Sequence, residues 1–414
     1  MKHNHSFFNL TLVSFALLCM AACRTETKPA DLIGENVENA VAQYTLQTDL
    51  IEKSGKILNP RTIDKEGNIV YVPIDDWCSG FFPGSMWYLY ELTKDGKWKA
   101  LAEKYTEDLD SVQYLTWHHD VGFMMGSSYL NGLLLAGKGA YKPVVIRTAQ
   151  SLATRFRPTA SVIQSWNVDR GWQSERGWEC PVIIDNMMNL ELLFEATRLS
   201  GDSTYYNIAV SHADQTLENH FREDGSSYHV VDYDPRTGEV LGRCTAQGYS
   251  DESAWARGQA WAIYGYTMAY RYTRRPEYLD RAEKVYEFVF THLNLPADLV
   301  PYWDFDALNI PNEPRDASAA AIIASALYEL NCFSDNKEYK NTADKILEAL
   351  SSPAYRAETG RNHYFLLMHS VGSWPDHVEV DVPLNYADYY YLEALKRKRD
   401  VEMSGKLQEF PASY

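Results

Sequence analysis

The chain has 414 residues, of which 45% are hydrophobic, and a formal net charge of −17. It can bury one large core or two ordinary ones. Its charge argues against nucleic acid or an anionic membrane as partner, and an acidic substrate would need a local cationic pocket. Eleven Trp and 29 Tyr are a heavy aromatic load, serving either packing or stacking on sugar rings.

The first 22 residues read as a targeting segment. Lys2 gives a positive start, Phe7 to Met20 is mostly apolar, and Ala21-Ala22 precede Cys23. The pattern resembles a bacterial lipoprotein signal, with Cys23 lipidated after cleavage and residues 23–38 as a leash. The mature protein is thus expected to be exported, in the periplasm or on a membrane to which only its lipid ties it. Cys78, Cys180, Cys244 and Cys332 are too widely spaced for a disulfide framework, so free thiols are expected.

Residues 39–414 are expected to form one domain. Six segments rich in small or aromatic residues read as buried helices, starting near Gly80, Gly122, Asp185, Ala254, Asp316 and Tyr386. Each follows a more charged, amphipathic segment: 39–57, 97–110, 142–156, 203–221, 277–293 and 338–351. In the fifth of these, Ala282, Val285, Tyr286, Phe288 and Val289 recur at helical steps. Six outer and six inner helices in alternation predict an all-α fold, an (α/α)6 barrel. Residues 226–243 read as a β-hairpin turning at Asp234-Pro235-Arg236-Thr237-Gly238. Other strand signals are few.

The polar residues that break the pattern cluster at the starts of the inner helices. They are Asp76 and Trp77, His118 to Asp120, Asp185 and Asn186, Trp255 and Arg257, and Asn385. In a barrel these starts share one rim, which is where an active site is expected. Asp185 heads the apolar run PVIIDNMMNLELLFEATRL and is either a helix cap or a working acid. Asp120 and Asp185 would give the paired carboxylates that glycosidic chemistry requires. Trp255 and Trp261 serve equally as core packing, and His229 as a hairpin surface residue. No HExxH, Walker A or GxSxG motif occurs and the cysteines lack zinc spacing. No metal and no cofactor are expected.

Three blocks carry a resemblance to a known family: Trp117-His118-His119-Asp120-Val121-Gly122-Phe123, IIDNMMNL, and SAWARGQAWAIYGY. They resemble the unsaturated glucuronyl hydrolases, glycoside hydrolase family 88, from about Trp77 to the last inner helix. The resemblance implies the same barrel and an enzyme that removes a 4,5-unsaturated uronic acid from the non-reducing end of lyase products, glycosaminoglycan disaccharides above all. It does so by hydrating the double bond. Asp185 is then the general acid and base, and Asp120 holds substrate hydroxyls and tunes it. Trp77, His229, Gln247, Trp255, Arg257 and Trp261 bind the unsaturated ring. Arg257 is the expected bidentate partner of the uronate carboxylate, and Trp255 or Trp261 the stacking face. Ser370 and Ser373, in the stretch that shapes the second-sugar subsite, are candidate sulfate ligands. Three other readings compete: an unsaturated rhamnogalacturonyl hydrolase acting on pectin fragments, an ordinary inverting glycosidase, and a lipid-anchored glycan-binding protein without catalysis.

Overall fold

The computed structural model describes Met1 and residues 31–408; Cys23 and the expected signal segment beyond Met1 lie outside them. Twelve helices alternate along the described chain, counting one segmented helix as a unit. The outer ones are α1 (Leu32–Lys53), α3 (Gly96–Glu107), α5 (Lys142–Ala153), α7 (Ser203–Asn219), α9 (Pro276–Thr291) and α11 (Glu338–Leu350). The inner ones are α2 (Phe81–Thr93), α4 (121–136), α6 (Leu190–Ser200), α8 (Ala256–Thr273), α10 (Ala317–Leu330) and α12 (Asn385–Ser404). Helix α4 changes register midway, with a π turn at Gly126–Leu130 between two α-helical pieces. Helix α1 already starts at Leu32, so the expected leash is helical over its last part.

Each inner helix packs on the next, from α2 through α4, α6, α8 and α10 to α12, and α12 closes the ring on α2. Composition explains the division. Helix α10, ASAAAIIASALYEL, is buried over its whole length, and its Ala and Ser residues let neighbouring backbones come close. Helix α11 instead buries one stripe, Tyr339, Ala343, Ile346, Leu347 and Leu350, and wets the opposite face.

The two ends of the barrel differ. Inner helices hand over to the next outer helix through short links such as 94–95, 201–202 and 274–275. The reverse connections are long, and they carry all the β-structure of the described residues: β1 (Asn59–Ile63) with β2 (Ile69–Val72), β3 (Phe156–Arg157) with β4 (Val162–Ile163), a three-stranded sheet, and β8 (Ser370–Ser373) with β9 (Val378–Val382). The three-stranded sheet contains the expected hairpin, β6 (Val230–Tyr233) and β7 (Val240–Cys244). Its third member, β5 (Pro181–Ile183), falls in a stretch that the sequence presents as the lead-in to a buried helix.

Between the inner helices lies a buried polar network. Arg271 meets Glu191 at 2.7 Å and Glu329 at 3.3 Å, Arg397 meets Glu329 at 3.2 Å, and Tyr88 donates to Glu393 at 2.6 Å. The cysteines Cys78, Cys180, Cys244 and Cys332 are free thiols.

Candidate active site

The long connections converge over the N-terminal ends of the inner helices. Asp185 lies in a 3-10 segment, Ile184–Asn189, that leads from β5 into α6. It lies in the first turn of that segment, after the N-cap residue Ile183, and its Oδ2 is buried without a hydrogen-bond partner. The side chain is 14% exposed. Burial raises its pKa to about 7, against the pull of Arg257 and with a further push from Asp120.

Sheet register brings His229 to Asp185. Ile183 pairs with Val230, and the N–H of Ile184 donates to the carbonyl of His229 at 3.0 Å. His229 Nε2 stands 3.7 Å from Asp185 Oδ2. On its other side, the backbone N–H groups of Ala246 and Gln247 donate to Nδ1 at 3.1 and 3.2 Å. Backbone amides can only donate, so Nδ1 is an acceptor and the ring proton sits on Nε2, toward Asp185.

Asp120 immediately precedes α4 and is buried. Burial would raise its pKa, but His119 and His118 outweigh that and hold it below the usual carboxylate value. His119 Nε2 lies 3.2 Å from Asp120 Oδ2. Asn189 fixes this ring: its Oδ1 accepts from the N–H of Phe123 at 3.0 Å, which leaves its NH2 facing His119 Nδ1 at 3.4 Å. The proton of His119 is thereby placed on Nε2, on the side of Asp120. A methyl group at Gly122 would stand 2.4 Å from Asn189 Oδ1, so this approach requires glycine. Asn189 is a site residue that the sequence reading did not single out. The result is two carboxyl groups in opposite states at one rim, one ionised and one titrating near neutrality. That is the equipment of acid–base catalysis.

The expected binding residues gather here in unequal roles. Trp77 is half-buried, 5.0 Å from Tyr386 and 5.6 Å from Phe123 between ring centroids. Gln247 is also half-buried, and its Oε1 accepts from Arg257 at 2.9 Å. Trp261, 1% exposed, packs beneath on Phe123 and Tyr390. Trp255, 3% exposed, is covered by His229 and Arg257, 4.5 and 4.4 Å away. Neither indole offers a free face, so the expected stacking role meets packed rings.

Arg257 also departs from expectation. Its Nη1 donates to the carbonyl of Val371 (2.5 Å) and to Asp316 (3.3 Å), and its Nη2 to Gly372 (2.6 Å) and Gln247. Its terminal donors thus hold the β8–β9 hairpin and are not free for a bidentate carboxylate. Ser370 is fully buried and Ser373 donates to Asp376 at 2.6 Å, so neither hydroxyl stands ready for a sulfate.

The exposed aromatic surface is elsewhere. Trp117 is 44% and Trp172 45% exposed, and Trp166 and Trp178 are partly so. The sequence carries a signal for three of them: Trp166, Trp172 and Trp178 recur in a polar stretch with Gly171 and Gly177, where no helical core would bury them.

A closed ring of alternating helices with a titrating and an ionised carboxyl at its open end defines an acid–base enzyme on an (α/α)6 barrel. The chain belongs to Glycosyl Hydrolase Family 88, whose family model matches residues 56–397. It is 44% identical to an unsaturated glucuronyl hydrolase of Formosa agariphila, over 95% of this chain and 98% of that one. It is 32% identical to an unsaturated chondroitin disaccharide hydrolase of Streptococcus pneumoniae, over 88% of this chain and 91% of the other. A crystal structure of an unsaturated glucuronyl hydrolase specific for heparin superposes with a TM-score of 0.86 at 43% identity, covering 92% of this chain and all of that one. The enzyme from Bacillus sp. GL1 gives 0.78 at 28%, over 90% and 96%.

Proposed function

We propose that the protein removes a 4,5-unsaturated uronic acid from the non-reducing end of glycosaminoglycan oligosaccharides made by lyases. Asp185 protonates C4 of the enol ether, and positive charge develops at C5, shared with the ring oxygen. Water adds at C5 while the Asp185 carboxylate takes its proton. The resulting hemiketal opens to a ketone, C1 is left as a hemiacetal, and that collapses to release the neighbouring sugar. The sum is one water added and one glycosidic link lost.

The observation that carries this reading is the buried Asp185 carboxyl, its Oδ2 without a hydrogen-bond partner, at the same rim as Asp120; burial pushes its pKa up to about 7. A donor that later acts as base works best when its pKa lies near the working pH. Asp120, held ionised by His119, orients substrate hydroxyls and keeps the Asp185 proton in place by its charge. Trp77, His229 and Gln247 border the unsaturated ring. Trp255, Trp261 and Arg257 shape the pocket from behind, Arg257 through its positive field and the hairpin that it holds.

Trapping distinguishes hydration from ordinary glycoside hydrolysis. With methanol present, the proposal expects a methyl ketal at C5 and loss of the ultraviolet absorbance of the double bond. A methyl glycoside at C1 with the double bond retained would refute it. A panel of unsaturated disaccharides from chondroitin, hyaluronan, heparan sulfate and pectin tests the substrate class. Equal or better turnover of the pectin product would favour the rhamnogalacturonyl reading.

We further propose that the protein is exported and tethered by lipid at Cys23, on the strength of Lys2, the apolar run and Ala21-Ala22-Cys23. Labelled fatty acid should enter the native protein and not Cys23→Ser.

A further inference from the structure

The unsaturated residue is only one end of the substrate, and the rest of it must leave across the rim. The wall formed by the connection from β4 to β5 is aromatic and carries one arginine, Arg176, that no carboxylate among the described residues pairs with. Trp166 meets Trp172 at 5.0 Å and Trp178 at 5.6 Å, and Trp172 meets Trp178 at 5.9 Å. Trp166 also touches His229 edge-on at 6.0 Å, so this shelf begins at the neighbour of Asp185. Between Trp166 and Trp117 runs a cleft whose polar groups come from His118, Ser165, Asn167, Arg170 and Gln173; Arg170 is paired with Asp169 at 3.1 Å. Apolar walls with a few polar groups are the usual make-up of a ligand site.

Arg176 lies over this shelf, 5.5 Å from both the Trp172 and the Trp178 ring. It is exposed, and no carboxylate among the described residues pairs with it. Acidic neighbours are at hand in the sequence, Glu175 and Glu179, yet Glu179 turns to Arg236 at 3.3 Å. An unpaired guanidinium at the rim of an acidic protein, set within cation–π reach of two indole rings, has its donors free and its conformation restricted before anything binds.

We infer that the Trp166–Trp172–Trp178 shelf with Arg176 is a subsite for the substrate beyond its unsaturated residue, and that Arg176 takes an anionic group there. The group is a sulfate ester or a carboxylate, both of which match the planar fork of arginine. The inference rests on the unsaturated-oligosaccharide reading above. It also answers the charge problem, since an anionic chain approaching a protein of charge −17 meets here a cation that no carboxylate neutralises.

The test compares native protein, Arg176→Gln and Arg176→Lys on three substrates: an unsaturated disaccharide with a sulfated hexosamine, its unsulfated counterpart, and an unsulfated tetrasaccharide. Arg176→Gln should lower kcat/KM for an anionic substrate relative to the unsulfated disaccharide by about tenfold, chiefly through KM, as expected for one lost charge-assisted contact. Arg176→Lys should recover part of it, and the salt dependence of KM should weaken in Arg176→Gln. A change confined to the sulfated disaccharide identifies a sulfate; one confined to the tetrasaccharide identifies the carboxylate of a later uronate. If both ratios stay at their native values, the subsite is refuted while the proposed reaction stands. If native protein turns over none of the three, the proposed reaction fails and takes the subsite with it.

Discussion

His229 presents an N–H to Asp185, not a lone pair. Nε2 stands 3.7 Å from Oδ2, and the backbone donors of Ala246 and Gln247 occupy Nδ1. Burial, with Arg257 nearby, holds the His229 pKa well below the ordinary 6.5. The ring should therefore stay neutral, with one tautomer, across the working range. Nitrogen NMR of labelled protein should find Nδ1 unprotonated and Nε2 protonated from about pH 5 to 8. A midpoint near the ordinary histidine value would show that His229 takes part as an acid.

The rate should fall with pH on two sides for two residues. Asp185 must carry its proton to donate it, so kcat/KM should decline as pH rises through about 7. Asp120 must be ionised, and its lowered pKa puts the acid limb below 3.8. Asp120→Asn removes one of the charges that raise Asp185. The residual activity of that variant should have its alkaline limb at lower pH. An unmoved limb would mean that Asp120 acts on substrate alone.

Asp185→Asn should lose at least about a hundredfold in turnover, the lower end of what a positioned proton donor supplies. It should also gain stability, with a definite pH dependence. The folded pKa of about 7 exceeds the ordinary 3.8, so the native state binds the proton more tightly than the unfolded chain. Stability from this group is complete below 3.8 and is lost as pH rises through 7. The loss is on the order of 4 kcal/mol at 1.36 kcal/mol per pK unit. The amide escapes it. Melting curves should find Asp185→Asn more heat-resistant than native protein at about pH 8, with the difference gone near pH 4. A variant less stable at both values would contradict the picture of a carboxyl whose burial disfavours its charge.

Arg61 joins two connections over the site. It donates to Glu379 at 2.5 and 2.8 Å and to Asp76, next to Trp77, at 3.0 Å. Glu379 in turn lies against Gly372, where a methyl group would stand 2.4 Å from its Oε2. Arg61→Leu leaves both carboxylates without their cation beside an anionic substrate. With the pair only partly buried, the cost to stability should be about 2 kcal/mol, less than for a fully buried one. KM should rise more than kcat falls, and adding Glu379→Gln should restore part of the affinity. No recovery in the double variant would assign Arg61 to folding only.

Much of this was legible beforehand, and the exceptions share a cause. The helical alternation follows from periodicity, since α10 is apolar and small on every side while α11 is so on one stripe only. Asp120 and Asp185 stood out because charge at the head of a buried helix is conspicuous. What periodicity does not carry is which way a side chain turns. Arg257 was expected to face substrate and instead spends its donors on Val371, Gly372, Asp316 and Gln247. Trp255 or Trp261 was expected to stack on a sugar, and both are packed. The short pairs β1–β2, β3–β4 and β8–β9 escaped notice because strands of two to five residues carry little alternation; β6–β7, no longer, was marked out by its turn, Asp234-Pro235-Arg236-Thr237-Gly238. Asn189 looks like a helix interior residue until its contacts with Phe123 and His119 are known.

The unequal ends of the barrel leave a mark on how such a protein can change. Asp120, Asp185, His229, Gln247 and Trp77 all hang from the long connections, whereas links 94–95, 201–202 and 274–275 merely turn the chain around. New termini placed in one of those links, with the old ends joined by a flexible tether, would cut no strand that shapes the pocket. Circular permutants of that kind should fold and keep their turnover. Insertions and deletions in the long connections, by contrast, can exchange one sugar preference for another without disturbing a single inner helix. The barrel is a socket, and its substrates are changed from one side only.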